Sequence, residues 1–192
     1  MKSVAKDLKT SQLRKDYSFH KLFINQLREL LWSKRLFIKT IPKLISNISS
    51  PKLLAIFNEH AAVVSKQIIR LEMVLELYGV KGQGRKCIVI QALISKTKSV
   101  LEYTEHGPVR DAAIIANVQK IEHYCIATYR TLIDFGQILG KDDIVDLLGK
   151  IRSEEKQTDA ILSDAAYNTI NFDAAIDENK FLASHYYKGK ML

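Results

Sequence analysis

Four long stretches of this chain repeat apolar side chains every three or four residues, and that periodicity points to helices packed face to face. The longest lies between Pro108 and Leu139 and aligns Ile114, Val118, Ile121, Cys125, Tyr129, Leu132 and Phe135 on one face. Glu122 sits beside that face, one turn from Cys125. A carboxylate turned toward a core must lose its charge, find a cation or bind a metal. The other three long helices should each bring a polar side chain to a similar depth.

The first of these helices is expected over 18–45, with Leu27, Leu31, Ile38 and Ile41 on its apolar face and Lys34 where an apolar residue belongs. Ser50 and Pro51 form a start signal for a second helix, since a serine caps the free N–H groups and proline fits the first helical position. That helix, over 51–78, offers Leu54, Phe57, Ala61, Val64, Ile68, Leu71 and Leu75, flanked by His60, Val63 and Gln67. Gly79 and the glycine-containing segment 81–84 end it. A shorter crossover helix over 86–103 leads through Gly107 and Pro108 into the third long helix, which Gly140 closes. The fourth long helix, over 142–170, carries Ile144, Leu148, Ile151, Leu162 and Ala166, with Glu155 on the stripe and Asp159 one turn on. From Asn171 the chain reads as a tail. Four long helices and one short crossover describe an all-α four-helix bundle.

At 192 residues and 47% hydrophobic content the chain is one domain with enough material for a core, and only 3 Pro and 8 Gly interrupt it. The expected domain spans 18–175, between a basic flexible arm at 1–17 and a basic, aromatic tail at 176–192. The formal net charge of +8 suits anionic partners but also solubility, and the body contains no compact Lys/Arg run. Cys87 and Cys125 cannot make a disulfide framework, and no secretory leader or membrane-spanning run is evident, so a cytoplasmic protein is expected. No Ser/His/Asp or Cys/His arrangement and no strand-linked phosphate loop is present.

At mid-helix the four stripes bring in Lys34, His60, Glu122 and Glu155, with Asp159 and Cys125 close by. Helical bundles build di-metal sites from carboxylates and histidines on facing helices, and such donors suit iron, manganese or zinc. Structural packing is the competing account: His60 as a core-edge histidine, Cys125 as a small buried apolar residue, Tyr129 as core, and Glu155 with Asp159 on a charged face. Lys34 weighs against a metal, because an ammonium among carboxylates supplies the positive charge a metal would supply and repels an incoming dication. The plain alternative for Lys34 is a snorkelling surface lysine.

Five segments carry a resemblance to a known family: Phe57-Asn58-Glu59-His60, Gln67-Ile68-Ile69-Arg70-Leu71-Glu72, Val109-Arg110-Asp111-Ala112-Ala113, Gln119-Lys120-Ile121-Glu122-His123-Tyr124 and Glu154-Glu155-Lys156-Gln157-Thr158-Asp159. From about Leu22 to Ala175 the chain resembles the ferritin-like YciE/YciF family of bacterial stress-associated proteins. The resemblance implies a ferritin-like bundle, dimeric, with a carboxylate-bridged di-metal centre between the helices. His60, Glu122, Glu155 and Asp159 match the family's ligand positions. Lys34, Val63 and Cys125 stand where the family carries glutamates.

The expectation is therefore a stress-related ferritin-like bundle with a degenerate di-metal site and a structural or interaction role, without catalysis and without a cofactor. Two alternatives stand beside it. One is a mononuclear or weak iron or manganese site on His60, Glu122, Glu155 and Asp159, with redox or peroxide-related chemistry. The other is binding of nucleic acid or an anionic surface through the basic termini. A homodimer is the expected assembly, with no membrane association.

Overall fold

The structure, a computed structural model, describes residues 18–178. The expected basic arm at 1–17 and the last residues of the expected tail, 179–192, lie outside the described residues. What is described is all-helical: α1 (Phe19–Ile45), α2 (Pro51–Leu77), α3 (Ile88–Tyr103), α4 (Pro108–Ile138) and α5 (Asp142–Ala165), followed by a π-helical turn, Ala166–Ile170. Helical conformation continues over 171–178, so the tail expected from Asn171 begins as an extension of the last helix. No described helix is long and apolar enough to cross a membrane.

The helix ends follow from local chemistry. Ser18 and Ser50 cap α1 and α2 by accepting hydrogen bonds from the Lys21 and Leu53 amides, and Pro51 occupies the first turn of α2. Gly79 and Gly140 adopt positive φ of 79° and 63° just past α2 and α4. There the amide of Val80 donates to Leu75 O and that of Lys141 to Gly136 O, both at 3.0 Å. These paired reverse bonds satisfy the last carbonyls, and glycine enters the left-handed region without steric cost.

The long helices pack in a cycle, α1 on α2, α2 on α5, α5 on α4 and α4 on α1, and α3 lies against α4 and α1. One core runs through their centre and includes Phe23, Leu31, Phe57, Leu71, Val118 and Leu148. The 78–87 segment crosses α1 closely: a Cβ on Gly84 would come within 3.1 Å of the Trp32 backbone, and the Arg85 amide donates to Arg28 O. Opposite, the turn between α1 and α2 is tied to the start of α4 by Asp111, whose side chain is 1% exposed. Its carboxylate accepts from Ser49 N at 2.9 Å, Ser49 Oγ at 2.7 Å and Ser50 N at 2.7 Å. Asp111 lies in the first turn of α4, where the macrodipole favours an acid; in the sequence it figured only within the segment Val109-Arg110-Asp111-Ala112-Ala113.

The core face of α2 is rotated from the expected one. Leu53, Phe57, His60, Val64, Gln67, Leu71, Val74 and Leu75 are buried, Ala61 and Ile68 are only partly buried, and Leu54 is exposed. An apolar stripe marks every surface a helix buries, and α2 is packed by both α1 and α5, so its core centre lies between those contacts and takes in His60 and Gln67.

Replacing Asp111 by Ala leaves the Ser49 and Ser50 donors without their buried acceptor. We expect a loss of roughly 2–4 kcal/mol in denaturant unfolding at an unchanged m-value.

Candidate functional site: a buried charge cluster

Midway along the helices, α1, α2, α4 and α5 each turn one ionisable side chain inward. Lys34, His60, Glu122 and Glu155 are 1%, 3%, 0% and 1% exposed. Lys34 is no snorkelling lysine, because its whole side chain is buried and its Nζ donates to Glu155 Oε2 at 2.5 Å. His60 Nε2 lies 3.3 Å from Glu122 Oε1, close enough for charge interaction though not aligned as a hydrogen bond. Phe37 and Phe57 present edges to the His60 ring, at centroid distances of 5.3 and 6.3 Å. Cys125 and the fully buried Tyr129 complete the layer from α4.

Asp159 lies apart from this cluster. The buried side of α5 runs Ile151, Glu155, Thr158, Leu162 and Ala165, so Thr158 takes the inward position one turn beyond Glu155. Asp159 instead faces α4, where Gln119 Nε2 donates to it at 3.1 Å and His123 Nε2 lies 3.3 Å away. At Val63 the α2 face has turned off the core, and that residue is only half-buried. Sequence reasoning placed Gln67 only at the flank of the α2 stripe and gave Thr158 no place in the core. Gln67 is fully buried and its Nε2 donates to Glu154 Oε2 at 3.3 Å, while Arg70 Nη1 binds Glu154 Oε1 at 2.5 Å.

The electrostatics follow from burying an ammonium, two carboxyls and an imidazole together. Burial alone would lower the Lys34 pKa, but the facing Glu155 and Glu122 carboxyls outweigh it and hold the ammonium well above its usual range. Burial pushes Glu155 up, the neighbouring Glu122 charge adds to that, and its pKa stands at about 8 despite Lys34. Burial would also raise Glu122, yet Lys34 and His60 pull it down to about 2. These carboxyls lie within hydrogen-bonding reach of each other, and Glu122 Oε1, Glu122 Oε2 and Glu155 Oε1 find no other donor. The two acids thus titrate as a pair that keeps one proton at neutral pH. One remaining negative charge then balances one ammonium. Burial pushes the Cys125 thiol and the Tyr129 phenol up, so both are neutral.

This arrangement fits a dication poorly. The Lys34 ammonium sits among the acids at the depth where a metal would lie and engages one Glu155 oxygen. Among the described residues no three His, Cys, Asp or Glu side chains converge as a metal-holding group.

Comparison with known proteins gives consistent relationships. The family described as "Domain of unknown function (DUF892)" matches residues 18–175. The chain is 37% identical over 160 residues to Protein YciF of Escherichia coli strain K12, covering 83% of this chain and 95% of that one. The crystal structure of the E. coli stress protein YciF superposes with a TM-score of 0.76 at 35% identity, over 80% of this chain and 98% of that one. YcfI of Rhodopseudomonas palustris gives a TM-score of 0.73 at 34% identity, over 77% and 94% of the two chains. A Xanthomonas campestris protein, 15% identical, shares the fold with a TM-score of 0.68.

A raised carboxyl pKa has a definite sign in stability. Glu155 is protonated in the folded chain but ionised in the unfolded chain between about pH 4.5 and 8, so unfolding releases a proton and stability falls as pH rises through that window. We expect a loss on the order of 1–3 kcal/mol from pH 5 to pH 8 in denaturant titrations, and Glu155→Gln, which imitates the protonated acid, should flatten that slope.

Proposed function

The chain belongs to the DUF892 family, with YciF among its relatives, and from that premise we propose a ferritin-like four-helix bundle protein of stress physiology that works as a structural or interaction module rather than as a metalloenzyme. The observation that carries this reading is the contact between Lys34 Nζ and Glu155 Oε2 deep in the core. A cation fixed by covalent attachment neutralises the buried acids, so the bundle's interior is complete without a metal. The stress assignment follows the description of the E. coli relative.

Several features support the rest of the reading. The cycle of four long helices around one core, with α3 as a crossover between the second and third long helices, supports the ferritin-like reading. Lys34, Val63 and Cys125 supply no carboxylate at three of the positions the resemblance assigns to ligands, and Asp159 is engaged by Gln119 and His123 at the α4–α5 edge. An interaction role needs surface, and α2 offers it: Ile69, Met73 and Leu77 are 58%, 46% and 55% exposed along its outer side. A second copy of this chain is the proposed occupant of that face, in keeping with the homodimer expected from the resemblance.

Native mass spectrometry tests both parts in one experiment, on protein loaded anaerobically with iron(II) or manganese(II). The expected species is a metal-free dimer near twice the 21.9 kDa chain mass. Restoring acids in a Lys34→Glu, Val63→Glu, Cys125→Glu variant should bring in up to about two metal ions per chain. Stoichiometric metal in the unaltered protein would remove the reading, and a monomer would remove its second part.

A further inference from the structure

Between α2 and α5 a groove of about 120 Å³ opens from the surface down to His60. The imidazole is 3% exposed and neither ring nitrogen has a hydrogen-bond partner. A buried polar atom without a partner is destabilising, so a ring with an unpartnered Nδ1 at the bottom of an open groove marks a place where something polar belongs. With Nε2 turned to Glu122, Nδ1 is left as the ring's free lone pair.

The lining specifies the occupant's chemistry. Beside His60 lie Thr158 and Gln157, and Glu59 stands at the rim. Each offers an oxygen or nitrogen acceptor, and among the described residues no Lys or Arg lines the groove. The other rim acid, Glu154, is already held by Arg70 and Gln67. Behind the floor the Glu122 charge is offset by Lys34, so the lining itself sets the preference. An anion is therefore disfavoured and a cation with several N–H donors is favoured. Ile56, Val63 and Ile161 supply apolar walls, which suit an aliphatic stem. The volume equals roughly four liquid-water shares of ~30 Å³ each, room for a chain of about five heavy atoms.

We propose that this groove is a binding site for a small primary alkylammonium, its head group donating to His60 and Thr158 under Glu59 and its aliphatic stem lying between Val63 and Ile161. The site is separate from the reading of Lys34 as the core cation and stands or falls independently of it. Recognition needs the N–H donors, so a quaternary ammonium of similar charge is a poor ligand, and a carboxylate of the same chain length is rejected by the acids.

The test is NMR on the isotope-labelled full chain, following the His60 ring carbon-bound protons during titration with n-butylammonium chloride, sodium butyrate and tetramethylammonium chloride. The expected result is a saturable His60 shift with n-butylammonium alone, weakened about two- to fivefold in Glu59→Gln, where an exposed charge contributes modestly. Val63→Phe should fill the groove and abolish the shift while the remaining amide spectrum stays native. Ile161→Phe closes the groove from α5 and serves the same purpose if the first variant fails to fold. No saturable shift, an equal response to butyrate or tetramethylammonium, or undiminished binding in a folded plugged variant would overturn the proposal.

Discussion

The buried contact between Lys34 and the Glu155–Glu122 pair is the constraint around which the rest of the structure is arranged. Two acids in a helical core cannot both remain ionised without a nearby positive charge, since isolated buried charges cost several kcal/mol each. One helix supplies an ammonium, two supply carboxyls, and the acids keep a proton between them, so the one negative charge left on the acids is balanced by the one ammonium. All four long helices must meet at one level in one register for this to hold. The cluster is weak evidence of stability in itself, because well-packed apolar residues can do as well. Its consequence is specificity: a helix that slides or rotates strands a charge.

The remaining contacts serve that convergence. Asp111 fixes the α1–α2 turn against the start of α4, so α1, which carries Lys34, and α4, which carries Glu122, are held relative to each other near one end. Close passage of Gly84 over Trp32 seats the α2–α3 connection on α1. On the α2–α5 side Arg70 and Gln67 bind Glu154, one residue before Glu155, and so position the α5 turn that faces Lys34. The groove toward His60 opens just beside this clamp, between two helices whose separation the clamp sets. Core neutrality and surface access are thereby linked through adjacent residues of α5.

Much of this was legible in the sequence, and the parts that were not share a cause. Ser50-Pro51, Gly79 and Gly140 placed helix ends to within a residue or so because their chemistry is local. Lys34, Glu122 and Glu155 were legible as inward residues because each interrupts or adjoins an apolar stripe. Asp159 was misplaced because a step of four from Glu155 and a step of three to Thr158 fit a helical stripe equally well, and only packing against α4 decides between them. The α2 face was misjudged because the apolar Ala61 and Ile68 only edge the core and Leu54 is exposed, while the polar His60 and Gln67 take inward positions. Asp111 and the His60 groove depend on residues distant in sequence, and no single-helix pattern encodes them.

The most direct test of the central claim is the unfolding free energy of Lys34→Met, alone and combined with Glu122→Gln and Glu155→Gln, measured in metal-free buffer at neutral pH. The account predicts that Lys34→Met alone costs about 3–5 kcal/mol by leaving a buried carboxylate uncompensated, and that adding the two amide substitutions recovers most of that loss. A cost below about 1 kcal/mol for the single change, or a triple variant no more stable than Lys34→Met, would contradict it and return the interior of the bundle to some other source of positive charge.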